Sequence, residues 1–242
     1  MISKNEIKLI RSLDRKKFRD REGIFVVEGE KSVEEALNSG LEILKLYRIS
    51  EIGEDAMSRI TLLSSPSPAL ALVRKPPAPN ALEIAALIAS GPLSLALDSL
   101  RDPGNLGTII RLADWFGIET IFASQDSVDC FNPKVVQASM GSIFRTQVIY
   151  CDLLRIASQF LSAGMSLFGT FTDGKSIYEQ NLDSKGLIVM GSESNGISPA
   201  LEELLTHPLS IPRFSPSGEN APDSLNVAIA TAIICSEFRR RK

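Results

Sequence analysis

The chain has 242 residues, 44% hydrophobic and 23% charged, with a net charge of −3. This is the composition of a soluble globular protein with room for one large domain or two modest ones. No run reaches the roughly 18 consecutive apolar residues of a membrane span. The opening MISKNEIKLIRSLDRKKFRDREG has no apolar core of the secretory kind, so a cytoplasmic protein is expected. Cys130, Cys151 and Cys235 are isolated, which argues against a disulfide framework or a zinc site and leaves them as small buried hydrophobes.

The charge is unevenly placed. Residues 1–21 hold Lys4, Lys8, Arg11, Arg15, Lys16, Lys17, Arg19 and Arg21 against Glu6, Asp14 and Asp20, a local net of +5. The tail Arg239, Arg240, Arg241 and Lys242 adds +4, leaving −12 for the remainder. That division fits a local contact with a polyanion on an acidic body. It also fits a solvated helix face plus a tail that suits a helix C-terminus.

In chain order, a basic N-terminal helix leads into "GIFVVEGEKSVEEALNSG". This predicts a short strand, then an acidic helix with Val33, Ala36 and Leu37 on one face and Gly40 as its stop. "LKLYRIS" and "ALALVRK" are further strands, so residues 1–76 form a small α/β domain. At "RKPPAPN" three prolines in four positions break any regular element, and 77–91 is expected to be a linker. Over 92–242, strand-like runs alternate with helical patterns: "LSLALD", "TIFAS", "TQVIYC", "SLFGTF", "LIVMG" and "LSIP". Their near-continuous hydrophobicity predicts a mostly parallel sheet covered by helices on both faces.

Three stretches carry candidate chemistry. In "DPGNLGTIIRLADWFG", Asp102-Pro103-Gly104 reads as a turn and Asn105 as the N-cap of a helix stopped by Gly117. Leu106, Ile109, Ile110 and Ala113 form its apolar stripe, and Arg111 lies off it on the side of Gly107. The glycine is expected to open space beside a cation near a helix start, a place for a phosphate or a reacting hydroxyl. In "LIVMGSESNGIS" a strand runs into Gly191 and a loop with Glu193, Asn195 and Gly196, where α/β sheets bind ligands. In "SIPRFSPSGENAPDSLNVAIATAIICSEF" a long loop leads to Ser224 and Asn226 at the start of a helix apolar almost all round, of the kind buried against another subunit. No G-x-G-x-x-G or Walker lysine motif competes, and the lone His207, read as a loop residue, cannot build a histidine metal cluster.

Together these stretches resemble the SpoU-type RNA 2′-O-methyltransferases of the SPOUT superfamily, TrmH-like proteins. Asn105, Gly107 and Arg111 resemble the N-x-G-x-x-x-R motif, and Gly191, Glu193 and Gly196 the strand-G-x-E-x-x-G motif. Ile211, Pro212 and Ser224–Val227 resemble the I-P…S-L-N-V motif. The likeness runs from about residue 93 onward, while "FVVEGEKSVEEAL" resembles an L30e-like substrate-binding domain. Arg213 stands where methionine is common, Asp223 where glutamate is, Ala228 where serine is, and the 213–223 loop is longer than usual.

The resemblance implies an α/β-knot fold, a deep trefoil knot, behind the small L30e-like domain. It implies S-adenosylmethionine near Thr170, Gly191, Glu193, Gly196, Ile211 and Leu225, no metal, and a homodimer formed through the knotted domain. It also implies methyl transfer to a ribose 2′-hydroxyl of RNA, rRNA first and tRNA second, with a non-catalytic RNA-binding or assembly factor as the alternative. Arg111, Asn105, Glu193, Ser224 and Asn226 are the implied catalytic set. A guanidinium is too weakly acidic to make a comfortable base, so Arg111 is read as binding a phosphate and polarising the hydroxyl, with proton abstraction as the other option.

Overall fold

The computed structural model describes residues 2–215 and 223–240. Its first part contains helices α1 (Lys4–Ser12) and α2 (Lys16–Glu22), strand β1 (Ile24–Glu28), helix α3 (Glu30–Asn38) and strand β2 (Ile43–Arg48). Helices α4 (Ile49–Ile52) and α5 (Glu54–Ile60) and strand β3 (Ala69–Arg74) complete it. The strands form an antiparallel sheet in the order β1-β3-β2. Alternation along them sorts the side chains by face. Val26, Leu70 and Leu72 pack with Ile10 of α1, Leu13 at its end, and Met57 and Ile60 of α5. Phe25, Val27, Ala69, Ala71 and Val73 face α3 and, beyond it, the rest of the molecule.

The expected linker contains a helix, α6 (Ala81–Ala89). The prolines end β3, but Asn80 then caps the amides of Leu82 and Glu83 while Glu83 reaches back to the Asn80 N–H, a reciprocal box that starts a helix at once.

The second part runs β4 (Leu93–Leu97), α7 (Pro103–Trp115), β5 (Thr120–Ala123), α8 (Pro133–Ser139), β6 (Gln147–Tyr150), α9 (Leu153–Ser162) and β7 (Leu167–Phe171). It continues with β8 (Lys175–Ser176), β9 (Gly186–Met190), α10 (Pro199–Glu202), β10 (His207–Ser210) and α11 (Val227–Arg240). Every pairing in the seven-stranded sheet β6-β5-β4-β9-β7-β10-β8 is parallel. Leu95, Ile121 and Ile188 face α7 and α11; Ala96, Phe122 and Val189 face α6 and α9. His207 opens β10 rather than lying in a loop, because its strand pairs with β7 from Phe168 onward.

From β4 the chain winds outward through β5 and β6, then crosses to the other side to lay down β7, β9 and β10. The carboxyl ends of β4 and β9 therefore flank a topological switch point, where open α/β sheets leave a crevice for ligands.

The small sheet is fastened to the large domain. Val136 of α8, with Phe131, Ile143 and Phe144, completes the core over Phe25 and Val27. Arg19, 1% exposed, pairs with Asp129 at 2.6 Å and also donates to the carbonyls of Leu13 and Asp14. Arg145 bridges Asp114 of α7 and Glu35 of α3.

Candidate functional site

Asp102, not Asn105, caps α7: its carboxylate accepts the Asn105 N–H at 2.7 Å, and Pro103 occupies the first turn, where a missing N–H costs nothing. Asn105 is thereby moved inside the helix, and its side-chain amide is free to point away from the backbone. Gly107 does not open space for a ligand. A Cβ there would lie 2.5 Å from the Ala138 Cβ and 2.8 Å from the Val135 carbonyl, so the glycine lets α8 cross α7 at close range.

The freed Asn105 amide joins the three sequence motifs. Asn226 caps α11 by accepting the amides of Ala228 and Ile229 at 3.0 and 3.3 Å. Its Nδ2 then donates to Asn105 Oδ1 at 3.0 Å, and Asn105 Nδ2 donates to a carboxylate oxygen of Glu193. Each amide uses its oxygen toward one neighbour and its nitrogen toward the next, so the chain of bonds has one direction and ends on a carboxylate.

Glu193 is placed by two glycines. A Cβ on Gly191 would come within 2.2 Å of the Gly196 backbone, and Gly196 sits at φ +66°. The loop folds back accordingly, with Ser192 and Gly196 exchanging hydrogen bonds at 3.1 and 2.9 Å.

Arg111 is exposed on α7 and makes no hydrogen bond or ion pair among the described residues. It lies on the stripe of Gly107 and Asp114 and is not bonded to the Asn105 network. Ser224 is exposed just before α11 and does not cap it; Asn226 does.

Thr170, Gly191 and Ile211 stand at the carboxyl ends of β7, β9 and β10, three neighbours in the sheet. The Thr170 hydroxyl donates to the Val189 carbonyl at 3.2 Å. Gly191 stands where no side chain would fit, and Leu225, just before α11, is half-exposed. Most of the 213–223 loop lies outside the described residues.

Two acids matter here beyond the sequence reading: Asp102, read there only as part of a turn, and Asp98, not singled out at all. Asp98 ends the run "LALD", and an acid following a buried parallel strand could have flagged it. The cysteines behave as inert hydrophobes: burial pushes the Cys130 and Cys235 thiols up to about 12. No cluster of three or more His, Cys, Asp or Glu able to hold a metal occurs among the described residues, and none of their helices is long and apolar enough to cross a membrane.

Fold and site together define an α/β protein with a polar junction at the sheet's switch point. Residues 92–236 match the SpoU rRNA Methylase family, and the chain belongs to that family. Residues 4–64 match the MRM3-like substrate binding domain. The chain is 28% identical to the 23S rRNA (guanosine(2553)-2′-O)-methyltransferase of Bacillus subtilis, over 98% of this chain and 97% of that one. Among solved structures it is similar to a Porphyromonas gingivalis protein described as an RNA methyltransferase of the TrmH family, with 38% identity, a TM-score of 0.87 and full coverage of both chains. It is also similar to the AdoMet-bound rRNA methyltransferase of Sinorhizobium meliloti, with 29% identity, a TM-score of 0.84, and coverage of 100% of this chain and 97% of the other.

Proposed function

We propose that this protein methylates a ribose 2′-hydroxyl in rRNA, using S-adenosylmethionine, as a cytoplasmic homodimer. The observation that carries the reading is the hydrogen-bonded path Asn226–Asn105–Glu193, which ties three segments far apart in sequence into one polar junction on the helix that also carries Arg111. The Bacillus relative's rRNA specificity and the match of the first domain to a substrate-binding module support the choice of rRNA.

S-adenosylmethionine, when bound, supplies a methyl group on a sulfonium centre. The chain's own part is alignment and proton control. Arg111 offers free guanidinium donors that bind the phosphate beside the target nucleotide and polarise its hydroxyl. Glu193 is the one carboxylate of the junction and accepts from a donor on nucleotide or cofactor. Asn105 and Asn226 hold that carboxylate in place, and Ser224, at the mouth of α11, contacts the nucleotide. Thr170, Gly191, Gly196, Ile211 and Leu225 line the cofactor cradle.

The trefoil knot implied by the family resemblance belongs to the same proposal, and so does the dimer. The dimer is supported by the apolar face that α7 and α11 leave uncovered: Trp115 is 83% and Ile229 54% exposed, beside a hollow lined by Phe116, Tyr178, Ala232 and Ile233. Patches of this kind mark association surfaces.

The test uses purified protein, labelled S-adenosylmethionine and total RNA from a strain lacking the gene, with the molar mass of the protein measured alongside. Label on the 2′-oxygen of an rRNA nucleotide and a mass twice 26.3 kDa are expected. Transfer to tRNA alone would overturn the choice of substrate, and no transfer to any RNA would overturn the enzymatic reading.

A further inference from the structure

The carboxyl end of β4 carries an acid that the site described above does not use. Asp98 is 6% exposed, and among the described residues no cation lies against it. One carboxylate oxygen accepts the Ser198 N–H at 2.7 Å, and the other accepts the Ser99 hydroxyl at 3.2 Å. A buried carboxylate met only by neutral donors is costly to keep. Its position points to what it holds.

What it holds is the Glu193 loop. The Asp98 N–H donates to the Met190 carbonyl at 2.9 Å, so the acid stands beside the strand end from which that loop departs. The loop is closed at its start by Gly191 against Gly196 and fastened at its far end by Ser198 on Asp98. Glu193 projects between those two fixings and meets Asn105. On the other side, the chain passes from Asp98 into α7 through a tight turn. Ser99 adopts φ +60° there, an unfavourable region for a residue with a side chain, and its N–H is held by Ser124 Oγ at 2.8 Å. Asp98 is thus the residue common to the loop bearing Glu193 and the turn leading to Asn105.

We propose that Asp98 is a positioning residue for methyl transfer, fixing the Glu193 loop against α7 through its bond to the Ser198 amide. This rests on the methyltransferase reading, and it names a residue that acts through Glu193 rather than on substrate. A hydrogen bond 2.7 Å long at the root of the loop sets where the carboxylate stands, and displacements of about 1 Å in a reacting site cost up to roughly a hundredfold in rate.

The test compares Asp98→Ala and Asp98→Asn, each alone and combined with Glu193→Gln, by single-turnover transfer, by KM for RNA and by amide hydrogen exchange over residues 192–198. Asp98→Ala is expected to lower kcat at least tenfold with little change in KM and to speed exchange at Ser198. Asp98→Asn keeps an acceptor for that amide and restores most of both. In the Glu193→Gln background, Asp98→Ala adds less than a twofold loss, because the two residues act as a unit. Wild-type kcat in Asp98→Ala, or a full additional loss in the Glu193→Gln background, would overturn the proposal. If the wild-type protein transfers no methyl group, the functional reading has failed instead. Exchange still decides the role of Asp98 in that case, and unchanged protection at Ser198 in Asp98→Ala overturns it.

Discussion

Distant segments of this chain meet in two places, and the two are built from opposite materials. At the seam between the small sheet and the large domain, Phe25 packs at a tilt against Phe131 with ring centroids 4.6 Å apart, and the Arg19–Asp129 pair is almost wholly buried. At the junction of α7, the Glu193 loop and α11, the contacts are amide and carboxylate hydrogen bonds near solvent, and Arg111 further along α7 has no ion pair among the described residues. The seam fixes how the small domain sits on the large one. The junction keeps its polar groups accessible. Burial is concentrated where orientation must be permanent, and exposure at the proposed site of transfer.

Breaking the seam should produce the largest effect on stability. Asp129→Ala leaves Arg19 charged and enclosed, a change of about 3–5 kcal/mol for a buried pair. The carbonyls of Leu13 and Asp14 still accept from Arg19 and place the loss toward the lower end of that range. Replacing both partners, Arg19→Met with Asp129→Leu, should cost less, because neither charge is left enclosed. Chemical denaturation of both variants checks the order, and equal losses would show that the pair acts through packing alone.

At the junction the sensitivity should be reversed, with activity lost and stability kept. Arg111→Ala should lower transfer by about two to three orders of magnitude, the scale of removing one electrostatic stabiliser from a reacting site. Cofactor affinity, read by calorimetry, should stay near the wild-type value. Equal loss of both would place Arg111 in the cofactor cradle instead.

Much of this was legible in the sequence. The six strand-like runs after residue 92 all became strands, because a sheet buried on both faces forces nearly every position to be apolar. The three motif stretches meet through Asn105, Glu193 and Asn226. What failed was whatever depended on a partner far along the chain. Arg19 reads as one more cation of a solvated basic helix, and its partner Asp129 lies 110 residues away. Gly107 reads as open space, but α8 fills it. Asn105 and Asp102 are both good capping residues, and only the proline between them favours the earlier start. The α6 capping box was present in "NALE" and was masked by the prolines before it.

The basic segment is likewise divided between the two roles. Ile10, Leu13 and Arg19 belong to the buried interior, so deleting residues 1–21 would unfold the small domain as well as discharge it. Arg239 and Arg240 are engaged too: the first donates to the carbonyls of Phe116 and Gly117 at the end of α7, the second pairs with Glu237. Lys4, Lys8, Arg15 and Lys17 remain exposed and without ion pairs among the described residues. Changing these four to Gln should weaken RNA binding and flatten its salt dependence by roughly 0.7 in slope per lost phosphate contact on a single strand. An unchanged slope would return the segment to a solvated surface.

The smallest effect concerns Glu28 in the small domain. Burial raises its pKa above the ordinary value, against hydrogen bonds from Thr61 and the Leu62 amide that lower it. The folded state therefore holds the proton more tightly than the unfolded chain. The stabilisation is present below the usual glutamate range and is lost as pH rises through the raised value. Glu28→Gln should flatten the dependence of Tm on pH above about 4.5; an unchanged profile would mean that the carboxylate is not what titrates there.

The central claim is that the methyl group is transferred at the site formed by the polar junction and Arg111 of the same helix. The most direct measurement maps 2′-O-methyl positions across the rRNA of cells lacking the gene, complemented with the wild-type protein or with Arg111→Ala at equal abundance. One nucleotide methylated with the wild-type protein and unmodified with the variant is the predicted result. Identical maps in the two strains would contradict it.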